Sequence, residues 1–343
     1  MKFDPIRTDR LLLRHMGLQD ADALTARRND PEVARYQAWP SPFPAERAHE
    51  MVAELGEMEG PANDQWWMAG VERSDTGEII GDLGVRLSWE GRCAEIGYTF
   101  HPDHWGHGFA VEAAAALVDF LFAHSEITRV FGMLHPDNTP SARVLERVGM
   151  LYEGHTRNSY WVGDENSDDW IYGMTPEDHR AWIDRPRHEP EAVTWTPVDQ
   201  SNESDVFKLR THWTQREFVA PMEWSFTDAL FPEIIDGAPV EPWMRAVHAD
   251  GELVAFVMLA RITSAHHEPY LWRLLVDRLH QRRGAGRRAL DLVVDQCREW
   301  GANTLLTSWN PDRGTPEPFY VAYGFVPTGN VVDDEIEARL TFD

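Results

Sequence analysis

The sequence predicts an α/β protein made of two copies of one domain plan, each a mixed β-sheet flanked by helices. Three observations lead to this prediction. The chain has 343 residues, the length of about two ordinary domains. Hydrophobic residues make up 43% of it, which is enough for two cores. The same order of elements also occurs twice: a β-hairpin, a third strand, a glycine-rich loop, a helix, a strand, a short helix and terminal strands.

In the first half, a hairpin turn at Ser74–Gly77 separates two β-rich runs, and the glycine-rich loop WGHGFA occupies residues 105–110. An alanine-rich helix follows this loop. A last helix begins at Pro176, a residue well suited to a first helical position. The predicted elements are strands 66–71, 79–85, 94–100 and 129–134 and helices 111–122, 141–148 and 176–183.

In the second half, Asp250-Gly251 is a strong hairpin signal, and the loop QRRGAG occupies residues 281–286. The predicted elements are strands 244–249, 253–260, 270–276 and 304–309, a helix from the loop to residue 300, and a helix over 317–323. Residues 184–191 are polar, contain two prolines and lack a hydrophobic period, which indicates a linker. The predicted domains are therefore 1–183 and 192–343.

Charge and composition exclude several classes of protein. Asp and Glu number 57 against 32 Lys and Arg, a net charge of −25, so nucleic acids and anionic membranes are poor partners. Cationic small molecules fit better, although acidity can also serve solubility alone. No apolar stretch is long enough to span a membrane, and the N-terminus lacks a signal-peptide core. The only cysteines, Cys93 and Cys297, cannot form a zinc cluster or a disulfide framework, so we expect a cytoplasmic protein.

Each glycine-rich loop joins a strand to a helix, and this arrangement has a chemical use. Backbone N–H groups at a helix N-terminus point at whatever lies above it, and the partial positive charge there suits a diphosphate. Glycine lets the backbone approach the phosphate oxygens closely. The alternative is an ordinary tight turn. Neither loop ends in the Gly-Lys-Ser/Thr of a nucleotide-binding P-loop, and neither matches the dinucleotide fingerprint.

The loop QRRGAG resembles the pyrophosphate loop of the GCN5-related N-acetyltransferase (GNAT) superfamily. Asn310 and the run FYVAYGF at 319–325 are similar to the terminal signature of that family. The run YLWRLLVD at 270–277 and the terminal GNVVDDE at 329–335 most resemble diamine and spermidine acetyltransferases. This resemblance covers roughly residues 190–343.

The first half resembles a different branch, the ribosomal-protein N-terminal acetyltransferases. The similar motifs are TDRLLLR at 8–14, EIGY at 95–98, the loop WGHGFA, and the Asn138, Ser141 and Gly149 pattern. The resemblance implies two tandem GNAT-like domains, each a mixed, bent sheet flanked by helices, with acetyl-coenzyme A as cofactor and acyl transfer as the activity.

The same resemblance implies which residues hold acetyl-coenzyme A. Asn138 and Asn310 either contact the cofactor or fix the entry of a helix. The implied cofactor-binding residues are Phe100, Trp105, Gly106, His107, Gly108, Phe109, Ala110 and Asn138 in the first half, and Leu275, Val276, Gln281, Arg282, Arg283, Gly284, Ala285, Gly286, Arg287 and Asn310 in the second.

Catalysis requires a base for the amine and a proton donor for the departing thiolate. Tyr320 occupies the general-acid position of the family, and a phenol of pKa about 10 can protonate a thiolate. A tyrosine packed on a helix is the alternative. The equivalent first-half residue is Leu145, which cannot donate a proton. Ser141 is therefore a candidate thiolate partner there, or a helix cap. Glu95 is a candidate base, or a solvated strand glutamate.

The predicted function is transfer of an acetyl group from acetyl-coenzyme A to the amine of a small cationic acceptor, with the second domain favoured as catalytic. Catalysis in the first domain with the second as scaffold is an alternative, and so is a non-catalytic acyl-coenzyme A-binding protein. Polyamines, amine antibiotics, other metabolites and protein N-termini all remain open as acceptors. We expect a monomer or homodimer. No metal site is expected, because His101, His104 and His107 lack further ligands and are better explained as surface residues.

Overall fold

The computed structural model describes residues 1–124, 126–162, 165–235, 237–312 and 314–343. The chain divides into two compact units, Met1–Ile183 and Asp184–Asp343. The predicted linker 184–191 belongs to the second of these units. No described helix is both long and apolar enough to cross a membrane.

The first unit is built on one mixed sheet. Its described strands are β1 Ile6–Arg7, β2 Leu11–His15, β3 Trp66–Arg73, β4 Ile79–Ser88, β5 Cys93–Phe100, β6 Arg129–Leu134, β7 Leu151–Val162 and β8 Glu165–Met174, in the spatial order β1-β2-β3-β4-β5-β6-β8-β7. Its described helices are α1 Ala21–Asn29, α2 Pro31–Ala34, α3 Ala45–Gly56, α4 Phe109–Phe122, α5 Thr139–Val148 and α6 Pro176–Asp184.

Neighbouring strands of this sheet are antiparallel except β5 and β6, which run parallel. The parallel pairing begins at Cys93 and Arg129 and ends at Glu95 and Phe131. Beyond that point, β5 and β6 no longer pair with each other. The sheet therefore opens into a gap between Ile96–Phe100 and Gly132–Leu134.

The two faces of β3, β4 and β5 differ in character. One face carries Trp67, Leu83 and Ile96, which are at most 4% exposed. Helix α4, which follows the glycine loop, packs against β5. The other face carries Met68, Gly84 and Gly97, which are paired directly across the three strands. The two glycines leave room for the Trp66 ring, which would lie 3.2 Å from a Cβ at Gly84.

The second unit repeats the plan. Its described strands are β9 Val193–Pro197, β10 Ile234–Ile235, β11 Ala238–Pro239, β12 Pro242–Ala249, β13 Glu252–Ala260, β14 Tyr270–Val276, β15 Thr304–Trp309, β16 Val326–Val332 and β17 Glu335–Thr341. Its described helices are α7 Glu203–Val206, α8 Met222–Leu230, α9 Ala285–Glu299 and α10 Glu317–Tyr323. The main sheet has the order β16-β17-β15-β14-β13-β12-β9, with β14 and β15 parallel.

The core of the second unit lies between this sheet and α9. The buried residues of α9 recur at helical spacing, as in Leu290, Val293 and Cys297. They belong to one hydrophobic cluster with Val257 of β13 and Leu305 of β15. The glycine-rich loop is thus held at the N-terminus of a helix whose other turns are packed on the sheet.

The predicted α/β class with two tandem mixed sheets is confirmed. The long helix of the first half starts earlier than predicted, at Phe109 rather than 111, because Gly108 adopts φ 81° and serves as its N-cap. Helices α1 and α3 were not predicted. The hydrophobic residues of α1 are few, so its sequence carries little helical periodicity.

Candidate functional site

A cavity of about 890 Å³ lies in the first unit at the gap between β5 and β6. Ile96–Thr99 of β5 line one side and Gly132–Leu134 of β6 line the other. Parallel strands that separate in this way expose backbone groups and side chains of both edges to a ligand. The cavity also contains three residues predicted from the sequence, which are Glu95, Asn138 and Ser141.

A pair of hydroxyl groups lies at this gap. The Tyr98 hydroxyl oxygen is 2.8 Å from Ser141 Oγ, and it also donates to the Ser141 carbonyl oxygen at 2.9 Å. Both side chains line the cavity. Burial raises the pKa of Tyr98 far above that of a free phenol, so this group stays protonated at neutral pH. Because the Tyr98 proton is donated to the Ser141 carbonyl oxygen, Ser141 Oγ donates its own proton to the Tyr98 hydroxyl oxygen.

Asn138, not Ser141, caps α5. The Asn138 side chain accepts a hydrogen bond from the Ser141 backbone N–H at 3.3 Å, which is the usual N-cap contact. Pro140 in the first turn of α5 supplies the fixed φ that suits a helix start. The Ser141 hydroxyl is therefore left for Tyr98, and the cap holds both in place.

Carboxylates surround the same gap. The side chain of Glu95 of β5 is only 12% exposed and forms an ion pair with Nη2 of Arg86 on the neighbouring strand β4. Asp169 of β8 is 5% exposed and accepts a hydrogen bond from Ser159 Oγ at 2.9 Å. Burial, followed by the negative charges of Asp169 and Glu95, raises the pKa of Tyr160. Tyr160, Glu95 and Asp169 all line the cavity, and Asp169 makes this end of it negative because Glu95 is paired with Arg86.

The glycine-rich loop of the first unit has room for a diphosphate. Gly106 and Gly108 have φ of 79° and 81°, and a Cβ at Gly106 would meet nothing within 4 Å. A Cβ at Gly108 would meet only Arg10 Nη2, at 3.6 Å. The first-turn N–H groups of α4, from Phe109 onward, have no partner within the helix. Open backbone and first-turn N–H groups suit the pyrophosphate of acetyl-coenzyme A. The guanidinium of Arg10 is ion-paired with Glu112 of the same turn at 2.6 Å.

Other residues of this loop support its shape. Trp105 is 48% exposed, yet its indole N–H donates to the carbonyl oxygen of Phe100 at 2.8 Å and so ties the loop to the end of β5. Arg10 donates to the His107 carbonyl oxygen at 3.0 Å. Phe109 is buried under Arg10, whose guanidinium lies 4.5 Å from the ring centre, and Ala110 continues the helix.

In the second unit, Tyr320 lies in the hydrophobic core. It is 8% exposed and stacks 5.8 Å from Trp309 with an angle of 8° between the rings. Phe325 packs against it edge-on at 5.4 Å. Burial raises the pKa of Tyr320 well above that of a free phenol. The ring is thus held as a core residue, with its hydroxyl enclosed.

The glycine-rich loop of the second unit is partly covered by its own chain. A Cβ on Gly284 would lie 3.2 Å from Glu189 Cγ and 3.4 Å from Glu189 Oε1. Arg288 donates to the carbonyl oxygens of Pro190 and Glu191, which anchors this segment beside α9. A carboxylate therefore lies at the helix N-terminus where a diphosphate would bind, and the two negative groups would repel each other. The residues here fit acetyl-coenzyme A less well than those of the first unit.

Several predicted cofactor residues of the second unit have other partners. Gln281 exchanges amide hydrogen bonds with Gln215 at 2.9 and 3.2 Å. Arg283 is 4% exposed and lies 3.6 Å from Asp250. The Asn310 side chain accepts from the Asp312 backbone N–H at 2.9 Å, which is a local turn contact. The remaining members are buried Leu275 and Ala285, half-buried Val276 and Gly286, and exposed Arg282 and Arg287.

Sequence reasoning did not assign a role to Tyr98, Asp169 or Arg28, which all line the cavity. Tyr98 belongs to the EIGY motif, so proximity to Glu95 in the sequence was a usable signal. Asp169 and Arg28 lie far from every motif in the sequence, so no sequence signal pointed to them. Among the described residues, no group of three or more His, Cys, Asp and Glu side chains is arranged to hold a metal ion.

Comparisons with known proteins identify the family of both halves of the chain. Residues 10–151 match an acetyltransferase (GNAT) domain, and residues 207–325 match the acetyltransferase (GNAT) family. The uncharacterized N-acetyltransferase YoaA of Bacillus subtilis is 33% identical over 173 residues, which are 50% of this chain and 97% of YoaA. The uncharacterized N-acetyltransferase p20 of Bacillus licheniformis is 34% identical over 158 residues, which are 45% of this chain and 86% of p20.

Solved structures are also similar. An acetyltransferase (GNAT family) from Bacillus anthracis is 26% identical with a TM-score of 0.46, and the match covers 51% of this chain and 99% of that one. The RimL ribosomal L7/L12 N-acetyltransferase, solved with coenzyme A, is 19% identical with a TM-score of 0.44 and matches over 50% and 98%. The sequence relatives and the two family matches establish that this chain belongs to the GCN5-related N-acetyltransferase family and is a tandem, acetyl-coenzyme A-dependent N-acetyltransferase.

Proposed function

We propose that the first unit transfers the acetyl group to the primary amine of a small molecule bound in the cavity between β5 and β6. One observation carries this proposal: Glu95, Tyr98 and Ser141 line one cavity in the unit whose glycine loop is open. The assignment departs from the sequence prediction, which favoured the second unit on the strength of Tyr320. Burial of Tyr320 and the position of Glu189 argue for the first unit instead.

The loop of the first unit would hold the cofactor through the N–H groups of residues 106–110. When bound, acetyl-coenzyme A supplies a thioester carbonyl as the electrophile. Glu95, directly or through a water molecule, accepts the proton that the acceptor ammonium must lose before it can act as a nucleophile. Ser141 Oγ would turn its proton from the Tyr98 oxygen to the departing sulfur, while the Tyr98 hydroxyl stays bonded to the Ser141 carbonyl oxygen.

The negative end of the cavity supports an amine as acceptor. Glu95 and Asp169 attract the ammonium form, which raises its local concentration at the site where it loses a proton. Aromatic side chains around them, including Trp66 and Tyr160, can contact the apolar part of the acceptor. A small molecule suits a cavity of about 890 Å³.

The experiment is release of coenzyme A from acetyl-coenzyme A with a panel of amines, using the full chain. We expect Ser141→Ala to lower kcat by roughly 10²-fold, at the low end for loss of a proton donor, because the Tyr98 hydroxyl remains. Tyr98→Phe should lower kcat less than Ser141→Ala does. A higher concentration of acetyl-coenzyme A should not restore the activity of either variant. Leu145→Met is a matched control, since Leu145 lines the cavity without polar atoms. Full activity of both hydroxyl variants would contradict catalysis in the first unit.

A further inference from the structure

Two buried charges line the cavity without an ionic partner among the described residues. The first is Arg28 of α1, which is 9% exposed. Its recorded contacts are Met68 Sδ at 3.7 Å and the rings of Trp39 and Phe43, each 4.6 Å from the guanidinium carbon. A thioether is a weak acceptor, and aromatic faces stabilise a cation without accepting all its N–H groups. Arg28 Nε is buried and has no hydrogen-bond partner.

The neighbouring residue shows how a buried arginine is normally balanced. Arg27 is 1% exposed and forms an ion pair with Asp82. Asp82 also accepts from the Thr99 hydroxyl at 2.9 Å. Of the two adjacent buried guanidinium groups, Arg27 is therefore ion-paired with Asp82 and Arg28 is not. Burial lowers the pKa of Arg28, and the nearby Asp82 carboxylate offsets this only in part.

The second buried charge is Asp169. It accepts a hydrogen bond from Ser159, but no Lys, Arg or His of the described chain forms an ion pair with it. Arg28 and Asp169 lie on opposite sides of the gap in the sheet. Arg28 contacts Met68 of β3. Met68 pairs with Gly84 of β4, which pairs with Gly97 of β5, so Met68 and Gly97 are two strand spacings, about 10 Å, apart. Asp169 lies on β8, beyond β6.

A buried charge without a partner is unfavourable by several kcal/mol, so a protein keeps one where a ligand completes it. We propose that the acceptor is an amino-carboxylate, with its carboxylate bound by Arg28 and its ammonium group directed toward Asp169 and Glu95. This inference rests on the proposed function, because it names the substrate class of the same cavity. The net charge of the chain predicts a cationic acceptor, and this inference makes the acceptor a zwitterion instead.

A carboxylate is favoured over a phosphate by the charges that line the cavity. Five acidic residues line it, Glu54, Asp82, Glu95, Asp137 and Asp169, against three arginines, Arg28, Arg35 and Arg47. Arg47 is already paired with Glu50 and Glu54 at the surface. Asp82, Glu95 and Glu54 are already ion-paired with Arg27, Arg86 and Arg47. Arg28 therefore offers one buried positive charge, which a carboxylate matches and a dianionic phosphate exceeds. The planar guanidinium also suits a carboxylate through paired N–H donors.

The test compares matched amines with the full chain. The probes are ω-amino acids from glycine to 6-aminohexanoate, each paired with the amine that lacks its carboxylate, and the aminoalkylphosphonates of the same lengths. We expect kcat/KM to be at least tenfold higher for the carboxylate member at the best chain length. In Arg28→Gln this preference should fall below about threefold, with partial retention in Arg28→Lys. Equal kcat/KM within every pair, or a preference for phosphonates, would overturn the proposal.

Thermal stability gives a second readout that does not need turnover. Arg28→Gln removes an unpartnered buried charge, so its Tm without ligand should equal or exceed that of the wild type. Arg27→Gln is the matched control and should lower Tm, because it leaves Asp82 buried without its cation. The best amino-carboxylate should raise the Tm of the wild type and not of Arg28→Gln. A fall in Tm for Arg28→Gln as large as for Arg27→Gln would assign Arg28 a structural role and overturn the proposal.

Failure of the proposed function can be separated from failure of this inference. If Ser141→Ala and Tyr98→Phe keep full activity, catalysis takes place elsewhere, and the proposed function is wrong. The ligand-dependent Tm shift and its loss in Arg28→Gln would still support the amino-carboxylate site. No shift in the wild type with any probe would overturn the site, even if the hydroxyl variants prove inactive.

Discussion

At the scale of single residues, burial separates the two hydroxyl groups that could assist the leaving thiolate. Ser141 is half-buried at the edge of a cavity, with Tyr98 2.8 Å away. Tyr320 is enclosed by Trp309, Phe319 and Phe325. A proton donor must reach the reacting atoms, so accessibility matters here as much as acidity.

Tyr320→Phe should therefore leave turnover of the full chain within about twofold of the wild type. The substitution removes only a hydroxyl from a stacked ring, and the aromatic packing with Trp309 persists. The measurement is kcat for coenzyme A release, with the urea midpoint as a control for folding. A loss of 10²-fold or more at unchanged stability would return catalysis to the second unit.

His280 should make the second unit less stable in mild acid. Its imidazole is 5% exposed, Nδ1 has no hydrogen-bond partner, and Nε2 lies 3.6 Å from Glu252. Desolvation lowers the pKa of His280 below 6.5 despite the attraction of Glu252 and Asp277. The unfolded chain therefore binds a proton that the folded one resists, and stability falls as the pH drops through about 6.5.

The measurement for His280 is the free energy of unfolding between pH 7.5 and 5.5. Its decrease should be smaller in His280→Gln than in the wild type, by about 1.4 kcal/mol for each full unit of pKa difference within that window. The exposed His107 supplies the control, because His107→Gln should leave the pH dependence unchanged. Equal slopes in the wild type and His280→Gln would show that His280 does not contribute.

At the scale of elements, α5 positions the candidate site from both of its ends. Asn138 caps its start next to Ser141, and Gly149 ends it with φ 105°. A Cβ at Gly149 would lie 2.3–2.7 Å from ring atoms of Trp182. Glycine is required there both for the left-handed backbone and for the close approach of α6.

Gly149→Ala should destabilise the first unit by about 1–3 kcal/mol from backbone strain alone, with a further loss from displacement of Trp182. Chemical denaturation would measure this. Gly154→Ala in β7 is the control, because its Cβ would meet nothing within 4 Å and its φ is not positive. Equal stability of the two variants would mean that α5 ends without the constraint described here.

At the scale of the whole molecule, two copies of one plan have diverged in what surrounds their glycine loops. Gly106 and Gly108 are open, whereas Gly284 lies against Glu189 of the chain that precedes β9. The second unit keeps its loop and core, but the negative side chain of Glu189 lies beside its loop. The duplication is therefore compatible with one working copy and one that supports structure.

Calorimetric titration with coenzyme A should give one strong site per chain. Gly108→Glu should abolish it, because a side chain there would enter the open cradle, and Gly284→Glu should not. Glu189→Ala should reveal or strengthen a second, weaker site by removing a negative charge from the N-terminus of α9. Two equal sites in the wild type would contradict the effect assigned to Glu189.

The sequence by itself determined the element order, both glycine loops, the hairpin at Asp250-Gly251 and the family, because these depend on local periodicity and short motifs. It also placed Glu95, Ser141 and Asn138 as candidates. Only the tertiary structure decided that Tyr98 meets Ser141, that Tyr320 is enclosed in a core and that Glu189 lies over Gly284. Such contacts join residues far apart in the chain. Whether a charge such as Arg28 has a partner depends on packing around it, and no local pattern encodes that packing.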